Sequence, residues 1–276
     1  MKKLEERLAL FLIALFTGIT ILALLVILYH IISKGLPGIT WEFLTSAPKR
    51  SGKLGGIYPM IVNTFYLTGL SLSISAPIGI GAAVFLTEYF SKGKLVSIFR
   101  FGIETLAGIP SIIFGLFGFL FFVIKLGWGW SLLSGSITLS LMILPTIIRT
   151  AEEAIRLVPD SYREGSTALG ATKAQTIGKI VLPTALPGIL TGVILGVGRA
   201  VGETAAVLFT AGSSLRIPVS VMDPARNLAV HLYIMALEGI SVEKAYATAT
   251  VLIVFVLIFN TVATRVITTV MSRNAK

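Results

Sequence analysis

The 276-residue chain contains no cysteine and only two histidines, His30 and His231. The first absence excludes disulfides, thiol nucleophiles and cysteine-based metal sites. The histidines lie at the outer ends of different segments, and neither belongs to an H-E-x-x-H or a G-x-S-x-G context, so an intramembrane enzyme has no catalytic set to draw on. Both read as interfacial or loop residues. No G-x-x-x-x-G-K-[ST] loop is present, so the chain supplies no ATP chemistry of its own. Charge is scarce too. Asp, Glu, Lys and Arg make up 13% of residues against 55% hydrophobic, which excludes an ordinary soluble domain and matches a polytopic membrane protein. The net charge of +10 reads as basic loops over anionic lipid. A nucleic-acid binder needs a clustered basic face on a soluble module, and none is found.

Long apolar runs are what the chain does have. Six are long enough to cross roughly 30 Å of hydrocarbon at about 20 residues each. They lie near 8–32, 61–90, 98–124, 131–149, 186–210 and 246–270. The fold class is therefore all-α with six transmembrane helices. Residues 1–60 hold the first span and an outer loop, and residues 61–276 hold a five-helix core. The basic start Met1-Lys2-Lys3 resembles a signal peptide, but the apolar stretch is too long and no small-x-small site precedes Lys34, so it is read as an uncleaved first span. With both termini placed in the cytoplasm, fourteen Lys and Arg fall on cytoplasmic pieces and eight on outer ones, the bias expected of inside-positive loops.

Individual runs carry their own punctuation. Ala76-Pro77 predicts a kink in the second span, since proline lacks the helical donor and crowds the preceding turn. The third span carries Glu104 near its inner end and Gly108-Ile-Pro110 further in, and its second half is rich in Phe and Gly. Glycines there suit close helix contact and the rings suit lipid. Trp128 and Trp130 bracket a turn at an aromatic-belt position. The outer segment 211–245 contains an amphipathic stretch from Ala225 to Leu237. It lies in the interface, dips back into the membrane, or simply connects two spans; the residues do not choose.

Between the fourth and fifth runs lies a polar, basic loop, near 150–185. Ser161-Tyr-Arg-Glu164 reads as a capping box that starts a helix near 161, Gly170 ends that helix, and Thr172-Lys-Ala-Gln175 is a second box opening another. Each helix is about ten residues, too short to span. Glu164 is either a backbone cap or part of a docking element. Glu164, Gly170, Ile180, Leu182 and Pro183 also fit, at every spacing, the pattern E-A-A-x3-G-x9-I-x-L-P. This looks like the cytoplasmic coupling loop of ABC importer permeases, with Gly165 and Ser166 in place of the two alanines.

The fifth run is the chemically unusual one, because Arg199 sits near its middle and Glu203 follows four residues on. A charge at such depth costs roughly 2.5–3.5 kcal/mol on insertion scales. On a continuous helix the pair shares a face with Gly192, Gly196, Ala206 and Thr210, a small and polar stripe suited to another helix or a water-filled path. Two readings stand. The pair neutralises itself and holds the bundle in register, or Arg199 offers its planar fork to an oxyanion while Glu203 offsets part of the charge. Glu104 or Arg149 is a further charge within possible reach.

From about Gly55 onward the chain resembles the phosphate-specific ABC importer permeases of the PstA type. The carrying segments are Leu106–Gly118, Leu144–Glu153, Ala168–Ile177 and Gly198-Arg-Ala-Val-Gly-Glu-Thr-Ala. The resemblance implies a MetI-like bundle with a cytoplasmic coupling helix, in the inner membrane of a prokaryote. It implies a phosphate path past Arg199 and Glu203. It also implies three partners: a sister permease (PstC type), an ATPase dimer (PstB type) and an extracytoplasmic phosphate-binding protein (PstS type). ATP and Mg are then bound by the ATPase, and no cofactor by this chain. Permeases for molybdate or sulfate are the nearest alternative, and a secondary anion transporter a more distant one.

Overall fold

The computed structural model describes residues 2–90 and 93–274; Lys92 and Lys276, counted above on the inner side, lie outside them. The chain is helical almost throughout, as a membrane solvent demands, because backbone groups in hydrocarbon find no water to bond. In chain order the helices are α1 (Lys2–Gly35), α2 (Trp41–Thr45), α3 (Tyr58–Val84), α4 (Lys94–Gly108), α5 (Ser111–Gly118), α6 (Leu132–Arg156), α7 (Asp160–Ala168), α8 (Lys173–Thr176), α9 (Leu182–Val201), α10 (Ala205–Thr210), α11 (Leu228–Leu237) and α12 (Val242–Asn274). Two short antiparallel strands, β1 (Pro48–Lys49) and β2 (Leu54–Gly55), form a hairpin before α3. Among the described residues five helices are long and apolar enough to cross a membrane, or six when α4 and α5 count as one bent span.

The centre of the bundle is α6, which has two-thirds of its apolar window buried and packs against α3 on one side and α9 on the other. Leu67 of α3 and Leu139, Met142, Ile143 and Ile147 of α6 form the middle of the core. Lipid tails are as apolar as leucine, so close packing and hydrogen bonds hold such helices together more than burial does. The glycines of α9 provide the close approach. A Cβ on Gly188 would lie 2.5 Å from Ala154 Cβ, and one on Gly192 would lie 2.8 Å from Thr150 Cβ. On the α3 side, Ser140 Oγ donates to the Ser71 carbonyl at 2.9 Å. Helix α1 lies outside this core and touches mainly α12, where Thr250 Oγ1 donates to the Ile31 carbonyl at 3.3 Å.

Three expectations are corrected. The third span is not straight: it bends by 99° between α4 and α5. Ile109, with φ −72° and ψ 130°, is extended, because the ring of Pro110 disfavours helical backbone in the residue before it. The fifth span does not reach 210. It stops at Val201, and the chain restarts as α10 after Gly202, Glu203 and Thr204. Nor are the helix opened at Thr172 and the fifth span separate. They form one apolar rod over Lys173–Val201, in which a wider π turn at Ile177–Val181 precedes Pro183 and absorbs its missing donor. At Pro77, by contrast, α3 runs through unbroken.

Segment 211–245 folds onto the bundle. Leu228, Val230, Ile234 and Met235 of α11 are buried, and the helix packs against α12 and α3. The glycine-rich half of the third span meets α10 as its small residues suggest. A Cβ on Gly115 would lie 2.9 Å from Ala206 Cα, while Ile112, Ile113 and Phe117 stay exposed.

Candidate transport and coupling sites

Arg199 stands in the last turn of α9, where unsatisfied carbonyls favour a cation. It is half-buried, and among the described residues it makes no hydrogen bond or ion pair. The shared face with Glu203 does not exist, because the helix ends between them. Glu203 is buried and turned to its own helix start: Oε1 accepts from the Ala206 amide at 3.1 Å. Its carbonyl accepts from Asn227 Nδ2 at 2.9 Å, and Asn227 Oδ1 caps α11 by accepting from the Val230 amide. Gly192 and Gly196 thus belong to the α6 contact, whereas Ala206 and Thr210 sit on α10 against α5. The unpaired guanidinium at a broken helix is the arrangement that suits an oxyanion, since Arg is left with its whole fork of donors unspent.

Beyond Arg199, the chain between α10 and α11 is folded onto the bundle by side chains that the sequence reading overlooked. Asn63 of α3 is fully buried and donates to the carbonyls of Arg216 and Arg226 at 3.1 and 3.2 Å. Thr64 Oγ1 accepts from the Leu228 amide at 3.0 Å. An asparagine inside an apolar run was the available signal. Arg226 is 7% exposed; its Nε donates to the Ser213 carbonyl, and burial pushes the guanidinium below its usual value, with Glu238 opposing. His231, expected in a loop or interface, is buried on α11, 3.3 Å from Arg226 through Nδ1. Burial, then Arg226 and Lys244, push its pKa down to about 3, which keeps the imidazole neutral beside the cations. His30 is exposed and contacts the Tyr246 hydroxyl at 3.3 Å.

The opposite end of the bundle carries α7. The first predicted capping box does not form. Pro159 occupies the cap position, the helix starts one residue early at Asp160, and no side chain caps it. Glu164 is instead exposed on α7. Gly170 does end the turn, with φ at +82°, a conformation that favours glycine. The second box is present, with Thr172 Oγ1 accepting from the Gln175 amide and Gln175 Oε1 from the Thr172 amide. Ile180, Leu182 and Pro183 lie on the rod that becomes α9, so the five pattern residues span a short loop helix, its hinge and the foot of a membrane helix. Ser166 and Thr176 hydroxyls, 2.9 Å apart, tie the two sides of the hinge.

Arg163 fixes α7 to the membrane helices. Its Nε and one terminal nitrogen donate to Glu88 Oε1 at 3.0 and 2.7 Å, at the foot of α3. Of the remaining donors, two reach the carbonyls of Val158 and Ile155 at the foot of α6, at 2.7 and 3.0 Å, and one reaches the exposed carboxylate of Asp160 at 3.1 Å. One side chain therefore couples the loop helix to two spans. Glu88 sits in an otherwise apolar stretch, which marks it in hindsight as paired. Around it, α7 presents Tyr162 and the adjoining Leu157 and Leu169, the last 91% exposed.

Residues 75–275 match the family described as binding-protein-dependent transport system inner membrane component. The chain belongs to this family. Relatives along nearly the full length agree. A probable ABC transporter permease, YqgI of Bacillus subtilis (strain 168), is 33% identical over 95% of each chain. The phosphate transport system permease protein PstA of Pasteurella multocida (strain Pm70) is 34% identical over 94% of this chain and 93% of its own. The PstA protein of Haemophilus influenzae is also 34% identical, over 85% and 83%. In fold, the permease is similar to a bacterial ABC transporter that imports the acidic polysaccharide alginate, with TM-score 0.65 and 21% identity over 92% of this chain and 96% of that one. It is also similar to the inward-facing methionine transporter MetNI, with TM-score 0.63 and 21% identity over 78% and 94%. The MetI-like permease bundle is thus the fold of this chain, and the chain is a multi-pass inner-membrane permease subunit.

Proposed function

We propose that this permease carries inorganic phosphate across the inner membrane as one half of a two-permease pore. A sister subunit of PstC type completes the conduit, and a PstB-type ATPase dimer grips α7 from the cytoplasm, holding the ATP and Mg. A PstS-type binding protein delivers phosphate at the far end, where α10 and α11 close over the bundle. In this reading both chain termini and α7 lie on the cytoplasmic side. The observation that carries the proposal is Arg199, a guanidinium at a helix break whose donors no group among the described residues uses. The PstA relatives carry phosphate in their names and match over most of the chain.

ATP-driven closure of the ATPase pair displaces α7. Arg163 passes that displacement to α3 and α6 through Glu88 and the α6 carbonyls, and the rod Lys173–Val201 follows through the hinge at Gly170. The path past Arg199 then opens to the far side. Glu164, exposed on α7, faces the ATPase, and Glu203 holds the break in shape rather than neutralising Arg199. The test is uptake of radiolabelled phosphate into vesicles holding the assembled complex. Uptake should require ATP and should be competed by unlabelled phosphate but not by sulfate or molybdate. Equal competition by molybdate or sulfate moves the assignment to another oxyanion, and uptake that persists without ATP removes the motor.

A further inference from the structure

Helix α4 leaves the foot of α3 at the α7 end and has two unlike sides. Leu95, Ile98, Phe99 and Phe101 are all more than half exposed. On the other side Val96 is buried, and Arg100 donates from Nε to Glu152 at 2.8 Å and from a terminal nitrogen to the Leu86 carbonyl at 3.3 Å. Fifteen residues with this pattern, set at 99° to α5, suit the plane of a membrane interface. With α4 in that plane, its inward side would lie at the depth of lipid head groups.

Between that side and the last turns of α6 is a cavity of about 230 Å³. Arg100, Arg149, Arg156, Glu104, Glu152 and Glu153 line it; Arg199 does not. Glu152 is buried and accepts from both Arg100 and Arg156, so these three satisfy one another with one positive charge left over. The other three do not. Arg149, Glu104 and Glu153 are exposed to the space, and among the described residues none of them is in an ion pair or hydrogen bond. Arg149 and Glu153 are one turn apart on α6, yet they remain open. The cavity thus offers unspent guanidinium and unspent carboxylate at once. A free phosphate would satisfy the first and be repelled by the second. A zwitterion satisfies both.

We propose that this cavity binds the head group of an aminophospholipid from the leaflet at the α7 end. Its phosphodiester lies against Arg149 and Arg156, the geometry a guanidinium fork suits. Its ammonium donates to Glu104 and Glu153, and Ile103 in the same wall meets the glycerol end. A primary ammonium has N–H donors and a trimethylated one has none, so ethanolamine is selected over choline.

The test uses the assembled complex exchanged into nanodiscs of equal parts phosphatidylethanolamine and phosphatidylcholine, with retained lipid identified by native mass spectrometry after partial delipidation. The wild type should retain the ethanolamine lipid by roughly tenfold or more over choline, a difference of about 1.4 kcal/mol. Glu104→Gln should bring the ratio close to parity, because Glu104 faces the ammonium by which the two lipids differ. Arg149→Gln should lower retention of both lipids together, since both carry the phosphodiester, and Arg149→Lys, which keeps the charge and controls for folding, should restore much of that retention. Equal retention of both lipids by the wild type overturns the proposal, as does an undiminished preference in Glu104→Gln or unchanged total retention in Arg149→Gln. Arg149-dependent binding of inorganic phosphate to the delipidated complex, displacing the lipid, also overturns it and marks a free-anion site instead.

Discussion

Replacing Arg199 by glutamine should lower phosphate uptake by about 100-fold or more, with the complex still assembled. The magnitude follows from losing a bidentate contact to a charged ligand, two hydrogen bonds at about 1.5 kcal/mol or more each. The preserved assembly follows from geometry. Arg199 bonds to nothing else among the described residues, so removing its charge leaves no buried partner behind. Arg199→Lys should fall between, because an ammonium keeps the charge and loses the fork. Uptake by reconstituted vesicles, read beside copurification of the sister subunit and the ATPase, checks both halves. Wild-type uptake in Arg199→Gln would remove this residue from the path.

The second large effect should come from Arg163→Ala. Glu88 is 9% exposed in its side chain and has Arg163 as its ion-pair partner. Removing one member of such a pair leaves an uncompensated charge and costs about 3–5 kcal/mol when burial is complete. Here Arg163 is itself 22% exposed, which places the cost toward the lower end. More telling is what happens to coupling. The ATPase should still turn over, while uptake drops by about tenfold or more because α7 no longer pulls α3 and α6. Glu88→Gln should do the same in part. In a double-mutant cycle the pair should fall short of the sum of the single effects, as residues that act through each other do. Additive losses would mean that the two side chains serve separate purposes.

Much of this machinery was legible in the chain, and the exceptions share a cause. The first, second, fourth and sixth spans, the hinge at Gly170 and the cap formed by Thr172 and Gln175 depend on neighbours within a few residues, and all are found in the structure. The glycines of α9 were readable as a contact face because their three- and four-residue spacing is local too. The break after Val201 was not. Gly202, Glu203 and Thr204 are compatible with a helix, and what holds the break is the side chain of Asn227, whose partner is 24 residues away. The bend at Pro110 is visible as a residue type, but an apolar run has a length and no direction, so the run alone does not show the angle between α4 and α5. The box at Ser161 failed because Pro159 and Asp160 started the helix first. Arg163 and Glu88 are 75 residues apart, and no spacing rule links them. Likewise, the burial of His231 comes from α11 folding back under Asn63, a long-range event.

The chain contains no natural cysteine, so a single introduced thiol reports cleanly on position. Leu169→Cys, at the exposed end of α7, and Val219→Cys, 99% exposed at the opposite end of the bundle, form the decisive pair. In intact cells treated with a membrane-impermeant maleimide, the Val219 site should be labelled and the Leu169 site protected. On opened membranes, Leu169→Cys should cross-link to an ATPase subunit with a yield that changes when ATP is added. Labelling of Leu169→Cys from outside the cell would put α7 beyond the reach of any cytoplasmic motor and contradict the coupling described above.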